Sequence, residues 1–288
     1  MIKNVMKRVW AFDIEWVPDP VAGRILYELP EETEAAEVMK VMWEKGGATE
    51  EDPTPFLKTA ICRVVSVAAL ERRQQPDGSV KLNLMALPHD PHNSEETSES
   101  SVVGTFLDAL GKARPQLVGF NSLQSDLKIL IQRGLVLGLS APAFCERPEK
   151  PWEGIDYFAR GSDWNIDLKE IVGGWGLASP SLHEIAVQSG IPGKLGVDGN
   201  DVAPMWLEGK IERIVHYNEC DAITTYLVWL RLAHLAGFFD DNAYAQEQQL
   251  VTELLQIEIA KGGREHLEEY LEAWNQLRAS VESGRIQE

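Results

Sequence analysis

Short runs of β-branched and aromatic residues alternate along this chain with stretches of helical periodicity. Val9-Trp10-Ala11-Phe12-Asp13-Ile14-Glu15-Trp16 is apolar but for two acids and predicts a strand, ended by Pro18 and Pro20. Residues 21–56 follow as an inserted helical segment: Glu31 through Glu44 is dense in helix formers and Gly46-Gly47 stops it. Ile61–Leu70 and Val80–Leu87 predict two further strands, and Gln75-Pro76-Asp77-Gly78 between them predicts a hairpin turn. His89–Ser101 is polar and acidic and reads as a mobile loop. Next come a helix over Val102–Arg114, a short buried strand over Gln116–Phe120 and a helix over Asp126–Leu137. Ala141–Asp163 is irregular, and Asn165–Leu168 is extended. Ser181 opens a helix with Glu184 three residues on, a capping-box pattern. Gly190–Pro204 reads as a loop with four glycines, and Ile211–Ala236 as one long helix stopped by Gly237. Asn242–Ile259 and Arg264–Val281 are amphipathic and rich in charge. Strands and helices that alternate after an initial hairpin imply an α/β sheet with helices packed on it, followed by a helical tail.

The 288 residues are 44% hydrophobic and 25% charged, enough to bury a full core. No apolar run is long enough to span a membrane, and the first residues lack a signal-like apolar stretch, so the expected location is cytoplasmic. Cys62, Cys145 and Cys220 form no CxxC pair, which argues against a zinc cluster or a redox pair. The formal net charge of −18 argues against a broad basic face for gripping duplex DNA. It leaves room for an enzyme that holds only a strand end, because a carboxylate-rich site changes sign locally once divalent ions fill it.

Asp13 and Glu15 stand two apart on a strand and therefore share a face, opposite Phe12, Ile14 and Trp16. Two adjacent acids repel unless a cation or protons lie between them. They fit a divalent-metal site or a solvent-facing edge strand, and the apolar flanks favour a central strand. Asp126 alone reads as a helix-start acid, placed there by capping or by the helix dipole. Tyr217 and Asp221 lie four apart on one helix face, which suits either a surface pair or catalysis. Taken together, the pieces have the makings of two-metal phosphodiester hydrolysis. That chemistry needs oxygen ligands for both ions, and a positioned hydroxyl can then orient water.

Phe12-Asp13-Ile14-Glu15, Gly119-Phe120-Asn121 leading to Asp126, and Tyr217-Asn218-Glu219-Cys220-Asp221 resemble the three motifs of DEDD-type 3′→5′ exonucleases. The tyrosine four residues before the last aspartate is the mark of the DEDDy subclass. The likeness is to the bacterial exonucleases related to the proofreading domain of family B DNA polymerases. It includes the Gly190-Ile191-Pro192-Gly193-Lys194 loop and the ending Leu230-Arg231, and covers roughly residues 8–236.

The resemblance implies a ribonuclease H-like fold, with a central mixed sheet flanked by helices. Residues 1–237 would form the exonuclease domain, with the insertion at about 21–56, and residues 238–288 a C-terminal helical extension. It implies two Mg²⁺ or Mn²⁺ ions as cofactors. Asp13, Glu15 and Asp221 would hold the ion that activates water, Asp13 would bridge to the second, and Asp126 would support that second ion. Tyr217 would orient the nucleophile and Asn121 would lie near the terminal nucleotide. The implied partner is a nucleic acid with a free 3′ end, single-stranded DNA in particular, shortened with release of nucleoside 5′-monophosphates. Ser125 departs from the pattern, since the family usually places Phe directly before the motif-two aspartate.

Lys194 reads as a phosphate contact or as a solvated lysine. Asp167 reads as an echo of a family position or as a turn acid. Trp10, Trp16, Trp164 and Trp175 read as base-stacking candidates or as packing. The competing reading is a non-catalytic module that binds nucleic-acid ends or a protein, and the two tail helices suit packing on the core, self-association or a protein partner equally well.

Overall fold

The computed structural model describes residues 1–159, 161–173 and 179–286. Its centre is one five-stranded mixed sheet in the order β3-β2-β1-β4-β5. The strands are β1 (Arg8–Pro18), β2 (Cys62–Gln74), β3 (Val80–Leu87), β4 (Gln116–Gly119) and β5 (Asn165–Asp167). β1 runs antiparallel to β2, and β2 to β3; β4 is parallel to β1 and β5 to β4. The Gln75–Ser79 turn closes the β2–β3 hairpin, with Gly78 at φ 87°. The acid-bearing strand β1 is thus the middle of the sheet, which accounts for its apolar flanks.

Helices cover both faces. They are α1 (Pro20–Leu26), α2 (Ala35–Gly46), α3 (Glu99–Ala113), α4 (Asp126–Val136), α5 (Pro142–Cys145), α6 (Leu168–Val172), α7 (Leu182–Gln188), α8 (Gly199–Leu207), α9 (Ile211–Leu235), α10 (Asp241–Ala260) and α11 (Glu265–Ile286). The alternation of β1 divides the core. Trp10, Phe12 and Ile14 pack with residues of α2, α3 and α4, whereas Val9 and Ala11 pack with residues of α9, α10 and α11. Asp13 and Glu15 continue the second parity, so their side chains leave the sheet on the α9 side. Phe12 and Ile14 are fully buried and contribute roughly 1.5–3 kcal/mol each, which offsets the cost of carrying two carboxylates inward on the same strand. A β-bulge between Glu15 and Trp16 inserts Val65 on the partner strand and re-aims β1 beside the two acids.

Two expectations need correction. The acidic loop after β3 ends earlier than the pattern implied: Ser98 caps α3, so residues 99–101 are helical. Gly190–Pro204 is not loop throughout, because α8 begins at Gly199. Asp198 and Asp201 form a capping box, and Val202, Ala203 and Met205 bury against Val17, Met39 and Ile214. Pro204 forfeits one helical hydrogen bond, and that burial outweighs the loss.

The tail packs onto the sheet and α9. Leu267, Tyr270 and Trp274 of α11 are fully buried in the same cluster as Tyr226 and Trp229. Arg72 of β2 makes a buried ion pair with Glu247 of α10 (Nε–Oε1 2.9 Å), and the Tyr226 hydroxyl donates to the same carboxylate at 2.9 Å. Cys62 and Cys220 are buried, Cys145 is exposed, and all three are unpaired. Among the described residues no helix is long and apolar enough to cross a membrane.

Candidate active site

Three elements bring the acids together. β1 carries Asp13 and Glu15, α9 carries Tyr217 and Asp221, and α4 begins at Asp126. One ligand oxygen each from Asp13, Glu15 and Asp221 lie within 4.8 Å of one another. With Tyr217, these three acids line a cavity of about 350 Å³, together with Trp16, Trp43, Pro55, Phe56 and the start of α8.

Asp126 stands beside this trio. Its carboxyl lies against the Ile14 backbone amide, and its charge acts on both Asp13 and Glu15. It is buried at the first position of α4, where Ser125 offers no side-chain cap. The position is favourable for an anion because of the helix dipole, and it also aims the group at the other acids.

The electrostatics follow from the crowding of acids that are partly or wholly buried. Burial first, then the neighbouring acids Glu15, Asp126 and Asp221, push the Asp13 carboxyl well above the usual carboxylate range. Burial, then Asp221 and Asp126, do the same to Glu15. Burial raises Asp126 to about 7 and Asp221 to about 6. A hydrogen bond from Tyr217 and the charge of Lys194 oppose the rise at Asp221. Burial and the nearby carboxylates push the Tyr217 phenol far up, so it stays protonated.

Asn218 is a participant that the motif reading passed over. Fully buried, it donates from Nδ2 to Asp13 Oδ2 at 2.8 Å, and its Oδ1 accepts from Ser66 Oγ at 3.2 Å. This holds the Asp13 carboxylate in place within the cluster. A serine inside an apolar strand was the available signal for Ser66; Asn218 carried none.

The remaining candidates fall on either side of the cavity. Asp167 is a turn acid: it accepts from the backbone of Asn121 (2.9 Å), Leu123 (3.0 Å) and Lys169 (3.0 Å), and so sets the β4–α4 connection that delivers Asp126. A Cβ on Gly119 would lie 2.5 Å from Ser122 Cβ, so that turn requires glycine. Asn121 sits at φ 66° and its Nδ2 donates to Ser125 Oγ at 2.8 Å; it is not part of the cavity wall. Lys194 is half exposed, 3.9 Å from Asp198, and its charge reaches Glu15 and Asp221. Its backbone amide donates to His183 Nδ1 at 3.0 Å, an approach open only because Gly193 has no Cβ. Trp10 and Trp164 belong to the core, Trp16 lines the cavity, and Trp175 lies outside the described residues.

Residues 54–274, more than half of the chain, match the family described as a predicted 3′→5′ exonuclease related to the exonuclease domain of PolB. The chain belongs to this family. The match takes in Asp126, Tyr217 and Asp221 and runs through α10 into α11. It begins after β1, so Asp13 and Glu15 lie outside the matched segment and are brought beside Asp221 by the fold. No curated protein matches the chain. The mixed sheet with its flanking helices is that of a ribonuclease H-like exonuclease domain.

Proposed function

We propose that this exonuclease removes nucleotides one at a time from the 3′ end of single-stranded nucleic acid, DNA in particular, releasing nucleoside 5′-monophosphates. The observation that carries the reading is the convergence of Asp13, Glu15 and Asp221 within 4.8 Å, with Asp126 and Tyr217 beside them.

The donor set suits two Mg²⁺ or Mn²⁺ ions. It is all carboxylate oxygen, and its mutual repulsion is of the kind that divalent cations relieve. Asp13, Glu15 and Asp221 would hold one ion, and Asp13 with Asp126 the other. When bound, such ions supply Lewis-acid activation of the attacking water and neutralise charge at the scissile phosphate. The chain does the rest. Asn218 clamps the Asp13 carboxylate in its place in the cluster. Tyr217, held in its neutral form, orients the water through its hydroxyl and does not itself take the proton. Lys194 supplies a cation facing Glu15 and Asp221, suited to a phosphate oxygen. Asn121 is assigned a place near the terminal nucleotide by the family resemblance alone; it does not line this cavity.

The test is degradation of a 5′-labelled single strand with Mg²⁺ or Mn²⁺. The expected result is a ladder of shortening products that Asp13→Ala abolishes. Binding without shortening by pure wild-type protein would favour the non-catalytic module instead, and an equally active Asp13→Ala variant would refute the assigned site.

A further inference from the structure

Where the family usually places Phe, Ser125 is buried at 6% exposure and accepts a hydrogen bond from Asn121. It offers no aromatic face and does not line the cavity that holds the acids. The cavity lining has aromatic residues of its own. Trp16, next to Glu15 in the chain, and Phe56, delivered by the segment after α2, meet at 6.2 Å between centroids and 85° between planes. Edge-to-face packing is a preferred aromatic geometry, and it holds the Phe56 ring against Trp16. Phe56 is 72% exposed, yet it lines the same cavity as Asp13, Glu15 and Asp221. Burial within the free protein therefore does not explain its place there. The cavity, at about 350 Å³, is at the small end of ligand pockets and suits one nucleotide rather than a base pair.

We infer that Phe56, braced by Trp16, is the surface on which the unpaired 3′-terminal base stacks, whatever that base is. The inference rests on the exonuclease reading and adds the selection of an unpaired end to it. Stacking tolerates any base because each has a π-face, while a paired base would have to leave its partner to reach Phe56.

The experiment measures binding by fluorescence anisotropy, with Ca²⁺ in place of Mg²⁺, using the full chain and 5′-labelled single strands. One strand ends in an ordinary nucleotide and the other in an abasic one. Wild-type protein is expected to bind the base-bearing end about tenfold more tightly. Phe56→Ala should reduce that ratio to about one, and Phe56→Trp should restore it. Equal affinity of wild-type protein for the two ends, binding of neither, or a ratio kept by Phe56→Ala overturns the inference. Turnover of the same strands with Mg²⁺ is scored separately. A base preference in binding without hydrolysis would leave the stacking surface standing and remove the exonuclease reading.

Discussion

Asp13 is held by a buried amide, and that amide by a buried hydroxyl, so the first residue-scale prediction concerns Asn218. Asn218→Ala should weaken Mn²⁺ binding about 10–100-fold in calorimetric titration, the usual effect of losing a partner that orients a metal ligand. The second concerns pH. Asp126 titrates at about 7 in the folded, ion-free protein against an ordinary value of 3.8. Its protonated form costs nothing at low pH; the cost of ionising it builds as pH rises from about 4 and is complete above about 7. Without ions, Asp126→Asn should therefore stabilise the protein at pH 8 by roughly 1–3 kcal/mol, and the gain should vanish near pH 4. Thermal melts in chelator measure it; a destabilising effect at pH 8 would contradict the assigned environment. These acids were legible because strand parity put Asp13 and Glu15 on one face and helix spacing did the same for Tyr217 and Asp221. Asn218 was not legible, since its role depends on which way α9 is turned against β1. Nor could sequence show that the Asn121 side-chain amide would be tied to Ser125.

Among the elements, α4 is the one whose placement matters most, because its first residue is Asp126. Arg133 anchors it, donating to Glu99 at the start of α3 (2.7 Å) and to Asp19, the cap of α1 (2.8 Å). Glu99 also accepts from the Val64 backbone at 2.8 Å, tying the group to β2. All three charges are buried. Arg133→Ala leaves two carboxylates unpaired in the interior and should cost about 3–5 kcal/mol in urea unfolding. The hairpin, the capped α7 and the long α9 were legible from turn residues, a capping box and periodicity. The start of α8 was hidden by Gly199 and Pro204, residues that speak for a loop, while the Asp198–Asp201 box and the burial of Val202 and Met205 decide for a helix.

On the scale of the whole molecule, α10 and α11 share their core with the sheet. Ending the chain after Gly237 would expose Trp229 and Tyr226 and leave Arg72 without Glu247. The truncated chain is expected to be insoluble or unfolded by circular dichroism, and a folded, active truncation would contradict this packing. The amphipathic pattern of these helices fits docking, dimerisation or partner binding alike, and the buried Glu247 reads in sequence as one more solvated acid. The net charge of −18 has its counterpart in the site: acids gathered around a cavity are an obstacle to a polyanion until cations enter.

Everything functional here depends on those acids seating divalent ions. The direct measurement is anomalous diffraction from crystals grown with Mn²⁺ and a nucleoside 5′-monophosphate. The account predicts a manganese peak within about 2.0–2.5 Å of oxygens from Asp13, Glu15 and Asp221, and a second on the Asp126 side of Asp13. Carboxylates in the same positions with no manganese among them, at millimolar Mn²⁺ and with the nucleotide bound, would contradict it.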